Sequence, residues 1–279
     1  MSIFFNYNGH VYPEGTPVVG PDNRGLRYGD GIFETMHYSN GHIRLKAYHF
    51  ERLFSSMWLM RFQTGQLTAD MLESKVDELC RLNGHDSARI RLMVLRGEGG
   101  LYEPVKGPQY IIQSWPLEHK PRPQGLLVDI YQGAKKNCDP LANIKSNNFL
   151  PYTMGALYAR QHMLDDCILL NHHGRITDTT IANIFIIKDH EITTPLLSEG
   201  CIAGVMRRFV IETLRREGYS INEAEVETGM LDDADEVFVT NALNPVRFVR
   251  QYRNRKYKNT VYRAVYNIIE EALKKKQGW

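Results

Sequence analysis

The chain has 279 residues, a net charge of +2, 43% apolar and 24% charged residues, enough for two domains or one large one with a sizeable core. A charge balance this even, with no basic block interleaved with aromatics, argues against nucleic-acid binding. No run approaches the ~18 apolar residues of a membrane span, the N-terminus lacks the basic and apolar regions of a signal peptide, and the four scattered cysteines suit a reducing, cytoplasmic compartment.

In chain order, IFFNYNGHVYPEG reads as a hairpin turning at Asn8-Gly9. RLKAYHFERLFSSMWLM carries an approximate helical stripe at Leu45, Tyr48, Leu53, Met57 and Met60. A second helix spans about Thr68 to Leu82 and stops at Asn83-Gly84. The alternation in ARIRLMVLRGEGG and the YIIQSW run predict strands. Glu118–Gly125, with two prolines and a glycine among charges, is the best linker candidate. It divides the chain into a shorter part, residues 1–117, and a longer part, 126–279, read as α+β halves. Beyond it lie strand LLVDIY, a helix from about Thr153 to Leu164, strand DCILL, and a hairpin of NIFIIK and EITTP. A helix from Gly204 to Glu217-Gly218, strand DEVFVT and an amphipathic C-terminal helix complete the chain. The basic run QYRNRKYKNT reads as a solvated loop or hairpin. Strands and helices mix without regular βαβ alternation, which predicts an α+β fold.

Several residues invite chemical roles. Lys145, in NIKSNNFLPYT, is either a snorkelling lysine or an amine desolvated to act as a nucleophile. An aldehyde cofactor with a phosphate tail would need such an amine, cationic and backbone N–H groups for the phosphate, and a carboxylate for the ring nitrogen. The Cys201-Ile202-Ala203-Gly204 approach to a helix would present the N–H groups of Val205 and Met206 to an anion. Arg52 could add a fixed charge, or be half of a surface ion pair. Asp178 is the carboxylate candidate, against the bland reading of a turn cap. The glycines of Gly29-Asp30-Gly31 and Gly97-Glu98-Gly99-Gly100 fit no phosphate-loop spacing and read as tight turns. His172-His173 has no third ligand nearby in sequence and no cysteine at zinc-ligand spacing, so the pair reads as solvated and no metal site is expected.

The blocks RYGDGIFETMHYSNGHIRLKAYHFERL, IKSNNFLPYTMGA, DCILLNHHGRITDTTIANIFIIKDHEITTP, GCIAGVMRRFVIE and ADEVFVTNALNPV, in that order, resemble the class IV (fold type IV) pyridoxal-phosphate enzymes over nearly the whole chain. That family includes branched-chain aminotransferases, D-amino acid aminotransferases and aminodeoxychorismate lyases. The resemblance implies a two-domain α+β fold, pyridoxal 5'-phosphate between the domains, and a homodimer. It places Lys145 as the Schiff-base lysine, which also shuttles the Cα proton, and Arg52 as the phosphate-binding arginine. Val205 and Met206 fall at the phosphate-capping helix start, and Asn241 and Ala242 at a second phosphate contact. Arg91 lies on the strand that holds a substrate carboxylate.

The chain departs from the family pattern at three positions. Asp178 replaces the usual glutamate, Phe149 stands where a tyrosine reaches the cofactor's phenolic oxygen, and Ala242 replaces a threonine. TNALNPV and GVMRR look more like the lyase branch, whereas FET at Phe33-Glu34-Thr35 looks more like a transaminase. The first expectation is an aminotransferase acting on an amino acid, branched-chain among the options, and a 2-oxo acid. The alternative is 4-amino-4-deoxychorismate lyase, yielding 4-aminobenzoate and pyruvate. A non-catalytic binding protein on the same fold is the minor alternative.

Overall fold

The computed structural model describes residues 3–104, 107–117 and 124–276. Most of the expected linker, residues 118–123, lies outside the described residues. The chain divides into two compact units, Met1–Lys120 with Lys145–Asn148, and Pro121–Ile144 with Phe149–Trp279.

The first unit comprises β1 (Phe4–Tyr7), β2 (His10–Pro13), α1 (Arg24–Tyr28), β3 (Gly31–Ser39), β4 (His42–Ile43), α2 (Lys46–Leu59), α3 (Ala69–Leu82), β5 (Ser87–Leu95) and β6 (Gln109–Pro116). They form a six-stranded sheet in the order β2-β1-β6-β5-β3-β4. The expected hairpin is there: Tyr7 pairs with His10, and Asn8 and Gly9 take φ of 50° and 88°, the left-handed pair that a two-residue turn demands. Thr68 caps α3, its side chain accepting from the Met71 N–H at 3.2 Å. Met36, Ile90, Leu92 and Ile112 are fully buried on one face of the sheet, and α2 and α3 cover that sheet with Leu53, Met57, Leu72, Val76 and Leu79. The stripe of α2 differs from the sequence expectation: His49 and Phe50 are buried and Tyr48 is not, because Glu34 draws His49 inward.

The second unit comprises β7 (Leu126–Lys136), α4 (Leu150–Gln161), β8 (Asp166–Asn171), β9 (Ile176–Thr179), β10 (Asn183–Lys188), β11 (Glu191–Pro195), α5 (Val205–Arg216), β12 (Ile221–Ala224), α6 (Gly229–Asp233), β13 (Glu236–Thr240), β14 (Arg247–Tyr252), β15 (Arg255–Lys256) and α7 (Thr260–Lys276). Its nine-stranded sheet runs β12-β11-β10-β13-β14-β7-β8-β9, with β15 on β14, so the basic run closes as a hairpin. β9 also lies against β10 and β11, which curls the sheet back on itself. Leu126, Val128, Ile168, Ile184, Val237 and Val249 fill one face. α4 packs over β7 and β8 on Tyr152, Ala159, Cys167 and Leu169. It begins at Leu150, earlier than the expected Thr153, because Pro151 fits the first helical turn, where no N–H partner is needed.

Candidate active site

In the first unit, Lys145 is fixed through its backbone. The Phe33 N–H donates to the Lys145 carbonyl at 2.9 Å, the Asn147 N–H donates to the Gly31 carbonyl at 2.9 Å, and Ser146 bridges to Ile32. The segment thus adds itself to the outer edge of β3. The approach needs a glycine at 31: a Cβ there would come within 2.6 Å of Asn147 Nδ2 and 2.9 Å of the Val94 carbonyl. The Lys145 amine stands 4.5 Å from the centre of the Phe33 ring, and the Arg91 guanidinium stands 4.2 Å from the same ring. Arg91 is opposite Thr35 in the β3–β5 register, on the face that Phe33 shares. Burial, then the neighbouring Arg89 charge, pull Arg91 below the ordinary guanidinium range.

Glu34 follows Phe33 in β3 and so points to the other face. Arg52 donates to it from Nε at 2.7 Å and from a terminal nitrogen at 2.5 Å, and His49 Nδ1 lies 2.7 Å away. Burial opposes a charge on Glu34, but Arg52 and His49 outweigh it and hold the carboxyl at about 2. Burial pulls His49 down, and Glu34 only partly restores it. The imidazole is therefore neutral and donates from Nδ1. Lys145, Arg91 and Arg52, distant in sequence, thus belong to one unit and all bear on the first half of β3.

The second unit gathers the other candidates around Asp178. This carboxylate, on β9 and 2% exposed, takes the Lys136 ammonium on both oxygens at 3.0 and 2.9 Å. It also accepts from Tyr152 at 3.0 Å, Thr177 Oγ1 at 2.9 Å and the Ile202 N–H at 2.9 Å. Lys136 also donates to the Tyr152 oxygen. Burial, then the Asp178 charge, push the Tyr152 hydroxyl well above its ordinary range, so it stays protonated and donates. Phe149 stacks on Tyr152 with ring centres 4.3 Å apart. Nothing in the local sequence marks Lys136 or Tyr152. Lys136 ends a strand tail that reads as solvated, and its burial follows from β9 curling over.

The loop before α5 hangs from the same scaffold. Ile202 donates to Asp178, and Asn183 Nδ2 donates to the Ile202 carbonyl at 2.8 Å. Gly204 is the N-cap of α5, with no side-chain cap, and a Cβ there would meet Asn183 Oδ1 at 1.9 Å. Val205 and Met206 open the helix and are buried. Asn183 faces Thr240 across the β10–β13 ladder, which brings the end of β13 to the same place. There Asn241 donates its N–H to the Asn244 carbonyl, and its Oδ1 accepts from the N–H groups of Leu243 and Asn244. Ala242 follows, half-buried. The polar atom of this stretch with no partner among the described residues is Thr240 Oγ1, on a side chain only 1% exposed.

Residues 31–252 match the family described as Amino-transferase class IV. The aminodeoxychorismate lyase of Vibrio harveyi is 31% identical over 229 residues, covering 79% of this chain and 82% of that protein. The branched-chain-amino-acid aminotransferase of Escherichia coli K12 is 27% identical over 259 residues, covering 87% and 84%. The solved branched-chain aminotransferase of the thermophilic archaeon Thermoproteus uzoniensis, with norvaline, superposes with a TM-score of 0.87 at 24% identity, covering 98% of this chain and 95% of that one. With a match of that extent, the chain belongs to the class IV aminotransferase family.

Proposed function

We propose that this enzyme is a pyridoxal-phosphate-dependent aminotransferase that uses Lys145 to move an amino group between an amino acid and a 2-oxo acid. The observation that carries the reading is the seat of Lys145: backbone bonds to Gly31 and Phe33 hold its segment on β3, with the amine over the Phe33 ring that the Arg91 guanidinium also meets. The residues present suit the cofactor. Lys145 offers the amine. Gly204, with no side chain to cap α5, and the unpartnered Thr240 Oγ1 suit a phosphate. Asp178 offers a buried carboxylate at which Lys136 already holds the charge. When bound, pyridoxal phosphate supplies a carbonyl carbon and an electron-withdrawing ring.

Lys145 would carry the proton at Nζ, taking it from the substrate's α carbon and delivering it to the carbon that the cofactor's carbonyl supplies. Arg91 binds the substrate carboxylate. Arg52, held in place by Glu34, would add a fixed positive charge for the phosphate. Val205 and Met206 open α5 with N–H groups that would suit an anion, and in the same unit Thr240, Asn241 and Ala242 follow from the β10–β13 ladder.

The lyase reading remains the second, because the Vibrio harveyi relative is named for that activity at 31% identity. A cytoplasmic homodimer completes the proposal. All four cysteines are free, no described helix is long and apolar enough to cross a membrane, and α4 exposes Leu150, Met154 and Leu157 on one stripe.

The test is borohydride reduction of the yellow holoenzyme followed by peptide mapping. The cofactor mass is expected on the Lys145 peptide, and Lys145→Ala should lower turnover about 10³-fold or more. Attachment at another lysine would overturn the assignment. A panel of L- and D-amino acids with 2-oxo acids, run beside aminodeoxychorismate, separates the two reactions: release of 4-aminobenzoate and pyruvate without turnover of the panel selects the lyase. Arg91→Ala should raise KM for substrate while leaving cofactor affinity within about twofold; equal loss of both would make Arg91 structural.

A further inference from the structure

Cys138, His172 and His173 are far apart in sequence, yet the Cys138 Sγ and the histidine ring nitrogens all come within 4.8 Å of one another. The sequence pairs the histidines with no third ligand; the fold provides one. β7 and β8 run parallel, with Lys136 opposite Asn171, so the chain leaves both strands at the same end. Cys138 lies just past Lys136, and His172 just past Asn171. The His172 N–H closes the gap by donating to the Lys136 carbonyl at 3.2 Å.

Both sides of the cluster are braced. Asn171 Oδ1 accepts from the His173 and Arg175 N–H groups, at 3.0 Å each, and Gly174 takes φ of 81°. On the other side, Asp139 caps the short helical turn Pro140–Asn143 through the Leu141 and Ala142 N–H groups. Gly200 packs so closely that a Cβ there would meet the Asn137 carbonyl at 2.0 Å. The backbone that carries the three donors is thus fixed, while the imidazoles are exposed and free to turn.

We propose that Cys138, His172 and His173 form a binding site for a divalent cation of the zinc class, separate from the cofactor-binding residues. One thiolate and two neutral imidazoles are a borderline-soft donor set that favours zinc-like ions over magnesium or calcium. A tetrahedral zinc holds such donors about 3.3–3.6 Å apart. The donors here exceed that separation by at most ~1.5 Å, which rotation of the exposed rings closes. Nearby carboxylates are otherwise engaged: Asp139 in its cap, Glu199 with Arg175 and Asn171. Water therefore takes the fourth position. The ion would pin the end of β7 to the β8–β9 turn, next to the backbone that carries Lys136.

The probe is Co²⁺, titrated into the tag-free, chelator-treated full chain. One equivalent should produce a thiolate-to-cobalt charge-transfer band and the strong visible bands of four-coordinate cobalt. Cys80, Cys167 and Cys201 are fully buried, so the thiolate band reports Cys138. Cys138→Ser should abolish that band, and His172→Ala or His173→Ala should each weaken binding at least about 10-fold. Zn²⁺ should displace Co²⁺, and should raise the thermal midpoint of the parent but not of Cys138→Ser. Circular dichroism confirms that each variant is folded. Absence of binding at ~1 mM Co²⁺, or binding with no thiolate band or with the band unchanged in Cys138→Ser, would overturn the proposal. None of these readouts depends on catalysis.

Discussion

Replacing Glu34 with glutamine tests the electrostatics of the first unit. Against the pull of burial, Arg52 and His49 hold the Glu34 carboxyl at about 2 rather than its ordinary 4.5. At ~1.36 kcal/mol per pH unit, that depression corresponds to about 3 kcal/mol of folding stability. Because the folded-state value lies below the unfolded one, this stability is fully present above about pH 4.5 and is lost as the pH falls towards 2. Glu34→Gln keeps the shape and removes the charge, so the variant should be about 3 kcal/mol less stable than the parent near pH 7. The difference should shrink steadily through the window from about 4.5 to about 2. Equilibrium urea unfolding followed by tryptophan fluorescence suits the measurement, since Trp58 and Trp115 both lie in the first unit. A variant as stable as the parent at neutral pH, or a deficit that does not change with pH, would refute this account of Arg52.

Two further substitutions probe the other elements. Lys136→Met leaves the Asp178 carboxylate, 2% exposed, with neutral donors alone. It should cost about 3 kcal/mol in urea unfolding, the lower end of the range for breaking a buried pair, because Tyr152, Thr177 and the Ile202 N–H remain. Adding Asp178→Asn should restore at least ~1 kcal/mol, and simple additivity of the two losses would show that the pair is not coupled. Gly31→Ala drives a methyl to within 2.6 Å of Asn147 Nδ2 and should displace the Lys145 segment. Turnover is expected to fall about 10²-fold with the circular dichroism unchanged; full activity would show that the docking on β3 does not set the position of the amine.

Much of the fold was legible because its signals are local. Asn8-Gly9 marks a hairpin, Thr68 a helix start, Asn83-Gly84 a helix end, and apolar alternation marks β5. Lys145, Arg52, Arg91 and Asp178 were reached through chemistry and resemblance, and the structure puts the first three in one unit. What escaped depends on strand register and sheet curvature. Lys136 is buried because β9 curls back to bring Asp178 to it, and Tyr152 because α4 packs across β7 and β8. Cys138 meets His172 only because β7 and β8 are parallel and in step. No window of sequence encodes such a meeting. Thr240 was passed over for its neighbours Asn241 and Ala242, since a threonine at a strand end is ordinary until its hydroxyl proves to be buried without a partner.

The chain crosses into its first unit twice, the second time for only the four residues Lys145–Asn148. A fragment stopped at residue 117 would carry Arg52, Arg91 and the whole six-stranded sheet, yet would leave the first residues of β3 bare on their outer edge and Lys145 on another molecule. Gene fusions or chimaeras spliced at that point inherit the difficulty: the incoming half must bring a short peptide that fits against a foreign Gly31, so the two halves are bound to diverge in step.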